Sequence, residues 1–425
     1  NGTTVYTGLP AINGTAEIGS TVSLQIDAAT VSTSIPVDPS GNWTYTVTTA
    51  LLDGTHTLKA LTTDAAGNPS VYSNTNTFTV ITVPTITATG TLNALNTVYG
   101  TASTSTPFAV SGVNMKAGIL VTPPAGFEVS ANNTTFTNTV TIGAAGMIAS
   151  TPVYLRLKNT TAVGSYSGNI VLTSTDAVNV NKATVASTVT AAPLTITANP
   201  VNKTYGDVLT AATGSTAFVA TGLKNAETVG TVSLAYGTGA AANDPIGTYT
   251  AKVTPSAAVG GTFTASNYTI TYAAGDIVIG VKAVTVTADA KSKVYGSADP
   301  ALTYTVSPAL VSGDSFTGAL SRVTGEAVGT YAINRNSLAL SSNYVITYVG
   351  ANLTITKKPL DVIATNTSKT YNGLAFNGGN GVTYSGFVGS DNAANSLTGT
   401  LTYTGTAQGA INAGTYVITP AGYAS

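Results

Sequence analysis

The only imidazole in this chain of 425 residues is His56. A serine nucleophile needs such a base to take its proton, but the run Gly54-Thr-His-Thr-Leu58 alternates in polarity and marks His56 as an outward or half-buried strand residue. Glycoside hydrolysis needs two carboxylates held across a cleft, whereas the 17 acidic residues are scattered singly in turns. There is no cysteine, which excludes thiol nucleophiles, disulfides and Cys-type zinc sites. Gly237-Thr-Gly-Ala-Ala241 lacks the Lys-Ser/Thr ending of a phosphate loop. The chain therefore reads as non-enzymatic, with no cofactor expected.

One metal remains to be weighed. Calcium prefers clustered oxygen ligands, and Asp64 with Asn68, joined by Asp27 or Asp38, is the only candidate set in the first unit. The simpler reading of Asp64-Ala-Ala-Gly-Asn68 is a turn closed by its own aspartate. The 21 tyrosines could form a glycan-binding platform, but Tyr249, Tyr331 and Tyr416 each follow Gly-Thr at matching places. That placement suits a buried ring whose hydroxyl ties down a loop, as in a tyrosine corner. Tyr205 and Tyr295 precede Gly206 and Gly296, which are expected at positive φ, and read as core residues too. Trp43 is the expected core indole. Triplets such as Asn42-Trp-Thr44, Asn267-Tyr-Thr269 and Asn352-Leu-Thr354 arise by chance in a chain so rich in Asn and Thr. A Lys–Asn crosslink would require a buried lysine beside a buried acid, which sequence does not reveal.

The elements that carry these residues are strands. Trp43-Thr-Tyr-Thr-Val47, Leu194-Thr-Ile-Thr-Ala198, Val284-Thr-Val-Thr-Ala288 and Leu353-Thr-Ile-Thr356 alternate with period two. Turn signals such as Pro39-Ser-Gly-Asn42, Asp53-Gly54 and Asn377-Gly-Gly-Asn-Gly381 separate them. No convincing amphipathic helix stands out. Only 8% of residues are charged, against about 25% in average soluble proteins, and the 79 threonines supply wetting hydroxyls on the outward strand positions. A formal charge of −1 argues against nucleic acid. No apolar run approaches the ~18 residues of a membrane span, so no membrane insertion is expected in this segment. Asn1-Gly-Thr-Thr-Val-Tyr6 has no signal-peptide character.

Internal repeats set the organisation. Leu194-Thr-Ile-Thr-Ala198, Lys203-Thr-Tyr-Gly206, Gly247-Thr-Tyr249, Ser266-Asn-Tyr-Thr-Ile-Thr-Tyr272 and Asp276-Ile-Val-Ile279 return in the same order as Val284-Thr-Val-Thr-Ala288, Lys293-Val-Tyr-Gly296, Gly329-Thr-Tyr331, Ser342-Asn-Tyr-Val-Ile-Thr-Tyr348 and Asn352-Leu-Thr-Ile-Thr356. A third set opens at Pro359-Leu-Asp-Val-Ile-Ala364, with Lys369-Thr-Tyr-Asn-Gly373 and Gly414-Thr-Tyr416, and stops before its expected Ser-Asn-Tyr strand, as an excerpt of a longer chain would. The expected fold class is all-β, a linear array of about five immunoglobulin-like sandwiches: 1–82, 83–192, 193–280, 281–356 and 357–425, the last incomplete. Pro84, Pro193 and Pro359 at short joints limit swing and predict a semi-rigid rod, each unit adding about 40 Å.

The last three units resemble the MBG family of bacterial surface repeats through the Lys-x-Tyr-Gly turn, the Gly-Thr-Tyr strand and the Ser-Asn-Tyr-x-Ile-Thr-Tyr strand; Tyr371-Asn372-Gly373 departs toward a Tyr-Asp-Gly variant. The first unit resembles bacterial Ig-like (Big) domains through Gly41-Asn-Trp-Thr-Tyr45, Leu52-Asp-Gly-Thr-His-Thr-Leu58 and Thr63-Asp-Ala-Ala-Gly-Asn68. The second, with Tyr99-Gly100 and Val163-Gly-Ser-Tyr166, is similar to a unit that often precedes MBG repeats in Bacteroidota proteins. The resemblance implies a secreted or outer-membrane-associated giant adhesin, often exported by type IX secretion and in some relatives serving gliding motility. Its implied role is a stalk that projects an adhesive tip. The implied partners are other domains of the same chain, surface polysaccharide or copies of itself. A self-associating filament or sheath component, and a carbohydrate-binding accessory region of a secreted enzyme, are the alternatives.

Overall fold

The computed structural model describes residues 2–425, and these are almost entirely strand and turn. They fall into two compact units: 1–196 with 219–232 and 257–272, and 197–218 with 233–256 and 273–425. The division passes through the stretch 193–280 rather than between repeats.

Unit 1 opens with a five-stranded sheet in the order Thr3–Val5, Asn76–Val80, Gly54–Thr63, Thr21–Ile26, Ala29–Pro36, and a separate ladder of Ala11–Thr15 with Asn42–Thr46. The alternation in Thr21–Ile26 explains the arrangement. Val22, Leu24 and Ile26 are buried, while Thr21, Ser23 and Gln25 stay partly wet. Trp43 packs into this core with Ile12, Ile35, Phe78 and Val80, as expected for the core indole. Its register partner is Gly14, where an added Cβ would lie 2.4 Å from Trp43 Cζ2. The glycine is therefore a steric requirement of the indole. Three further sheets of four, four and three strands, built on Thr106–Met115 with Gly146–Leu157, Ile119–Thr122 with Asn169–Thr173, and Gly164–Tyr166 with Ser187–Thr190, make up most of 83–192.

Unit 2 shows the repeat plan most clearly in 281–356. Lys282–Ala288 pairs antiparallel with Tyr304–Ser307 and parallel with Tyr344–Val349. A second sheet places Ala351–Thr356 between Lys291–Val294, in parallel, and Gly329–Asn334, antiparallel. Ala288 of the first sheet clusters with Ile333 and Leu353 of the second, which makes this a two-layer sandwich. The preceding repeat uses the same pairing, with Gly275–Gly280 between Val201–Thr204 and Gly247–Gly261. In 357–425 the regular structure is two two-stranded ladders, Asp361–Ala364 with Val382–Ser385 and Thr398–Thr404 with Thr419–Ala424, and a single helical turn, Ala393–Ser396.

The fold is all-β and Ig-like in its layering, as the alternation predicts. No helix among the described residues is long and apolar enough to cross a membrane.

Candidate functional site: a tyrosine–carboxylate clamp between repeats

The Lys-x-Tyr-Gly turns hold tyrosines that the sequence reads as core residues. Tyr205 is buried as expected and Tyr295 only half-buried, and the partner of the Tyr205 hydroxyl lies outside its own repeat. Tyr205 is 4% exposed, but its hydroxyl donates to Asp314 Oδ2 at 2.9 Å, a residue of the following repeat. Tyr344, from the Ser-Asn-Tyr strand of that same following repeat, donates to the same oxygen at 2.6 Å. The two rings meet edge to face, with centroids 5.4 Å apart and planes at 81°, the geometry their quadrupoles favour. The Tyr344 hydroxyl also accepts from Val311 N at 2.8 Å, and Ile246 N donates to Asn343 Oδ1 at 3.1 Å.

The same arrangement stands at the preceding joint, inside unit 1. Tyr99 donates to Glu227 Oε1 at 2.5 Å and Tyr268 to Glu227 Oε2, with the rings 5.5 Å apart at 80°. Tyr268 accepts from Lys224 N at 2.9 Å, and Val163 N donates to Asn267 Oδ1 at 3.0 Å. A third occurrence is partial. The Asp391 carboxylate acts on Tyr295 and raises its phenol pKa.

Local structure explains each part. The acids close four-residue turns through their own amides, Glu227 N to Lys224 O at 2.9 Å, Asp314 N to Val311 O and Asp391 N to Val388 O both at 3.0 Å. The glycine after each donor tyrosine has positive φ, +82° at Gly100, +100° at Gly206 and +81° at Gly296. A Cβ there would press into the next repeat, 2.3 Å from Lys224 Cγ, 2.9 Å from Val311 Cγ2 and 2.5 Å from Val388 Cγ1 respectively. Burial, reinforced by the bond to the carboxylate, pushes both Tyr268 and Tyr344 up to about 12. Both phenols are therefore neutral donors to a carboxylate at ordinary pH, the charge-assisted form of the bond.

The remaining predicted residues sit as follows. Tyr249, Tyr331 and Tyr416 donate to the carbonyl four residues earlier, at Pro245, Ala327 and Asn412, over 3.0, 2.8 and 3.1 Å. The loop tie is present, but the rings are less buried than a tyrosine corner implies, and Tyr416 is 39% exposed. Asp64 accepts from Ala66 N, Asn68 N and Asn68 Nδ2 at 2.8–2.9 Å, so Asp64 and Asn68 close a turn on themselves. No group of three or more potential metal-binding His, Cys, Asp or Glu residues occurs among the described residues. His56 is a correction. It is buried, with Nδ1 2.6 Å from Asp27 Oδ2 and Nε2 2.6 Å from the Leu52 carbonyl. Both ring nitrogens face acceptors, which demands the imidazolium. Burial opposes the charge, but the Leu52 carbonyl and Asp27 outweigh it and hold the His56 pKa above its ordinary value.

Two lysines are buried. Lys203 donates to the carbonyls of Asp207 and Ala241. Lys293 pairs with Asp299 and Glu326, which Arg322 also binds, and both carboxylates are open to solvent.

Residues 194–278 and 284–354 match the MBG domain (YGX type), and 3–82 match a bacterial Ig-like domain. The chain carries bacterial Ig-like and MBG repeats in tandem. The tyrosine and glycine that open each clamp within the MBG repeats are Tyr205-Gly206 and Tyr295-Gly296, and the turn acids Glu227 and Asp314 are MBG residues that receive the tyrosine of the preceding unit.

No curated protein matches the chain. Looser likenesses exist among solved structures. A Ca2+-stabilized adhesin with which an Antarctic bacterium binds ice is 18% identical over 98% of this chain and 93% of that one, at a TM-score of 0.20. A Corynebacterium diphtheriae protein described as membrane anchored is 12% identical, at 0.16, over 44% of this chain and 59% of its own. SGBP-B of a Bacteroides ovatus mixed-linkage glucan utilization locus, solved with a heptasaccharide, is 14% identical, also at 0.16, over 66% and 65%. The chain thus spans less than two thirds of the latter two, and TM-scores this low say nothing of what it binds.

The turn acids were missed in the sequence because each looks like a lone turn residue. A signal was present: Gly222-Leu-Lys-Asn-Ala-Glu227, Ala309-Leu-Val-Ser-Gly-Asp314 and Gly386-Phe-Val-Gly-Ser-Asp391 align, with an apolar residue four before each acid.

Proposed function

We propose that the chain is a non-enzymatic, load-bearing stalk segment of an extracellular bacterial adhesin. The observation that carries the reading is the repetition of one clamp, Tyr99–Glu227–Tyr268 and then Tyr205–Asp314–Tyr344, at successive joints. A clamp of two rings hydrogen-bonded to one carboxylate resists bending and twisting at a joint. Tandem repeats held by nearest-neighbour contacts let length grow with repeat number. The five-module division at 1–82, 83–192, 193–280, 281–356 and 357–425 belongs to this reading. So do placement at the surface of a Bacteroidota outer membrane, export by type IX secretion and a part in attachment or gliding motility.

Commitment of the clamp tyrosines to neighbouring repeats supports the stalk over a sugar-binding platform. Negative-stain images of the purified chain at high concentration test the proposal. Single beaded rods of constant length are expected; lateral bundles would overturn the stalk in favour of a filament or sheath. Glycan-array binding that persists when only the clamp tyrosines are intact would favour the accessory-region alternative instead.

A further inference from the structure

The Ig-like domain matched over 3–82 closes on Thr82, and Asp53 holds that residue. Asp53 Oδ1 accepts from both the amide and the hydroxyl of Thr82, each over 2.8 Å. Its other carboxylate oxygen pairs with Lys116, which lies outside the domain, directly after the strand Thr106–Met115. Lys116 Nζ also donates to the Thr82 hydroxyl at 3.3 Å. Asp53 therefore ties the last residue of the Ig-like domain to the chain that follows it. The tyrosine clamps stand at later joints, and this one is built on the Asp53 carboxylate instead.

What places Asp53 is the peptide before it. Leu52 gives the loop little anchorage, since its side chain is exposed. The Leu52 carbonyl, however, lies 2.6 Å from His56 Nε2. A peptide group is planar, so a tilt of that carbonyl turns the Asp53 amide with it and swings the carboxylate. The other backbone tie of this loop, Leu51 N to Gly8 O at 2.8 Å, acts two peptides earlier.

His56 is faced by three elements. Asp27, from the turn after Thr21–Ile26, lies 2.6 Å from Nδ1; the Phe78 ring, from Asn76–Val80, has its centroid 5.5 Å away; the loop gives the Leu52 carbonyl. Among the described residues Asp27 is the charged group that acts on the imidazole. It keeps the Nδ1 proton when the ring becomes neutral, because a carboxylate is the stronger acceptor. Nε2 then turns a lone pair toward the Leu52 oxygen, and a hydrogen bond becomes a repulsion. The one histidine of the chain thus acts on the joint that has no tyrosine clamp.

We propose that protonated His56 locks the joint after the Ig-like domain, and that loss of its proton releases the Leu52–Asp53 peptide and loosens Thr82 and Lys116. The lock is closed in mild acid and opens as pH rises through the value of the folded histidine, which lies above the ordinary 6.5. The domain core keeps its packing while the joint opens.

The test is hydrogen exchange on the intact chain from about pH 5 to about pH 9, expressed as protection relative to an unstructured peptide at each pH. Protection of the Thr82 amide is expected to fall about tenfold or more over that range, while Thr21–Ile26 stays protected. In His56→Gln the Thr82 protection should no longer change with pH. In Asp53→Ala, which alters an exposed side chain, Thr82 should be weakly protected at every pH, while the alkaline limb of core stability, read by Trp43 fluorescence, persists. Constant Thr82 protection in the natural chain would overturn the proposal. So would a loss in step with Thr21–Ile26, which would make His56 a determinant of the fold alone. Retained pH dependence in His56→Gln would overturn it by assigning the titration to another group. Imaging tests the stalk separately and does not turn on these outcomes.

Discussion

Tyr205 and Tyr344 end on one atom, Oδ2 of Asp314, although one belongs to the turn of its repeat and the other opens a strand of the next. Two neutral phenols on a single carboxylate oxygen satisfy a half-buried charge without a cation, which suits a chain with only 16 basic residues.

Removing one phenol should loosen the joint while sparing the cores. In Tyr344→Phe the amide of Val311 loses its acceptor and Asp314 one of its donors, a loss of about 1–3 kcal/mol. Hydrogen exchange at Val311 is expected to quicken roughly tenfold or more, with the amides of Ala351–Thr356 unchanged. Equal acceleration throughout 281–356 would mean that Tyr344 supports its own fold instead of the joint.

The clamp has a pH limit with a definite sign. Tyr268 and Tyr344 are raised to about 12 from an ordinary value near 10, so their contribution is complete below 10 and is lost as pH climbs through 12. Tyrosinate absorbance should retain a component that ionises only near pH 12. This late ionisation should coincide with exposure of the joint amides, and Glu227→Gln should bring Tyr268 down.

A methyl group at the turn glycine tests the close approach. Gly100→Ala and Gly296→Ala place a Cβ against Lys224 and Val388, at positive φ, and should cost about 1–2 kcal/mol at their joints. Limited proteolysis is expected to cut first near those turns. Gly247→Ala serves as a control for backbone strain alone, since its Cβ would meet nothing within 4 Å despite a φ of +145°.

Stability of the Ig-like domain should be bounded on both sides. His56 has a raised pKa, so its contribution is complete below 6.5 and fades as pH rises through the folded value. Asp27 has a lowered pKa despite its desolvation, because the Thr57 amide and His56 hold the carboxylate, and its contribution fades as pH falls below 3.8. Trp43, the one tryptophan, reports on this core by fluorescence. His56→Gln should flatten the alkaline limb; an unchanged profile would refute the imidazolium.

Asp64 should act through its turn alone. Asp64→Ala removes the acceptor for three donors and should lower the melting temperature slightly, to the same extent with calcium or with chelator. A melting temperature that falls on chelation would instead revive Asp64 and Asn68 as ligands.

The strands, the repeat order and the Trp43 core were legible because each rests on local alternation that burial then respects, as in Thr21–Ile26. The loop ties of Tyr249 and Tyr331 were legible from their matching positions. The clamp was not, since Tyr205 and Asp314 meet only when two repeats are placed end to end, and an isolated turn acid carries no local mark of its partner. His56 escaped for a similar reason. Its surroundings in sequence are an ordinary alternating strand, and the carboxylate that charges it comes from Asp27, at a neighbouring turn.

Each MBG repeat presents a forward-reaching tyrosine at one end and a receiving carboxylate with its own tyrosine at the other. The arrangement is a plug and a socket on one part. Duplication or loss of a whole repeat through recombination therefore leaves every remaining junction correctly matched, and a lineage can lengthen or shorten the protein in single genetic steps without redesigning any contact.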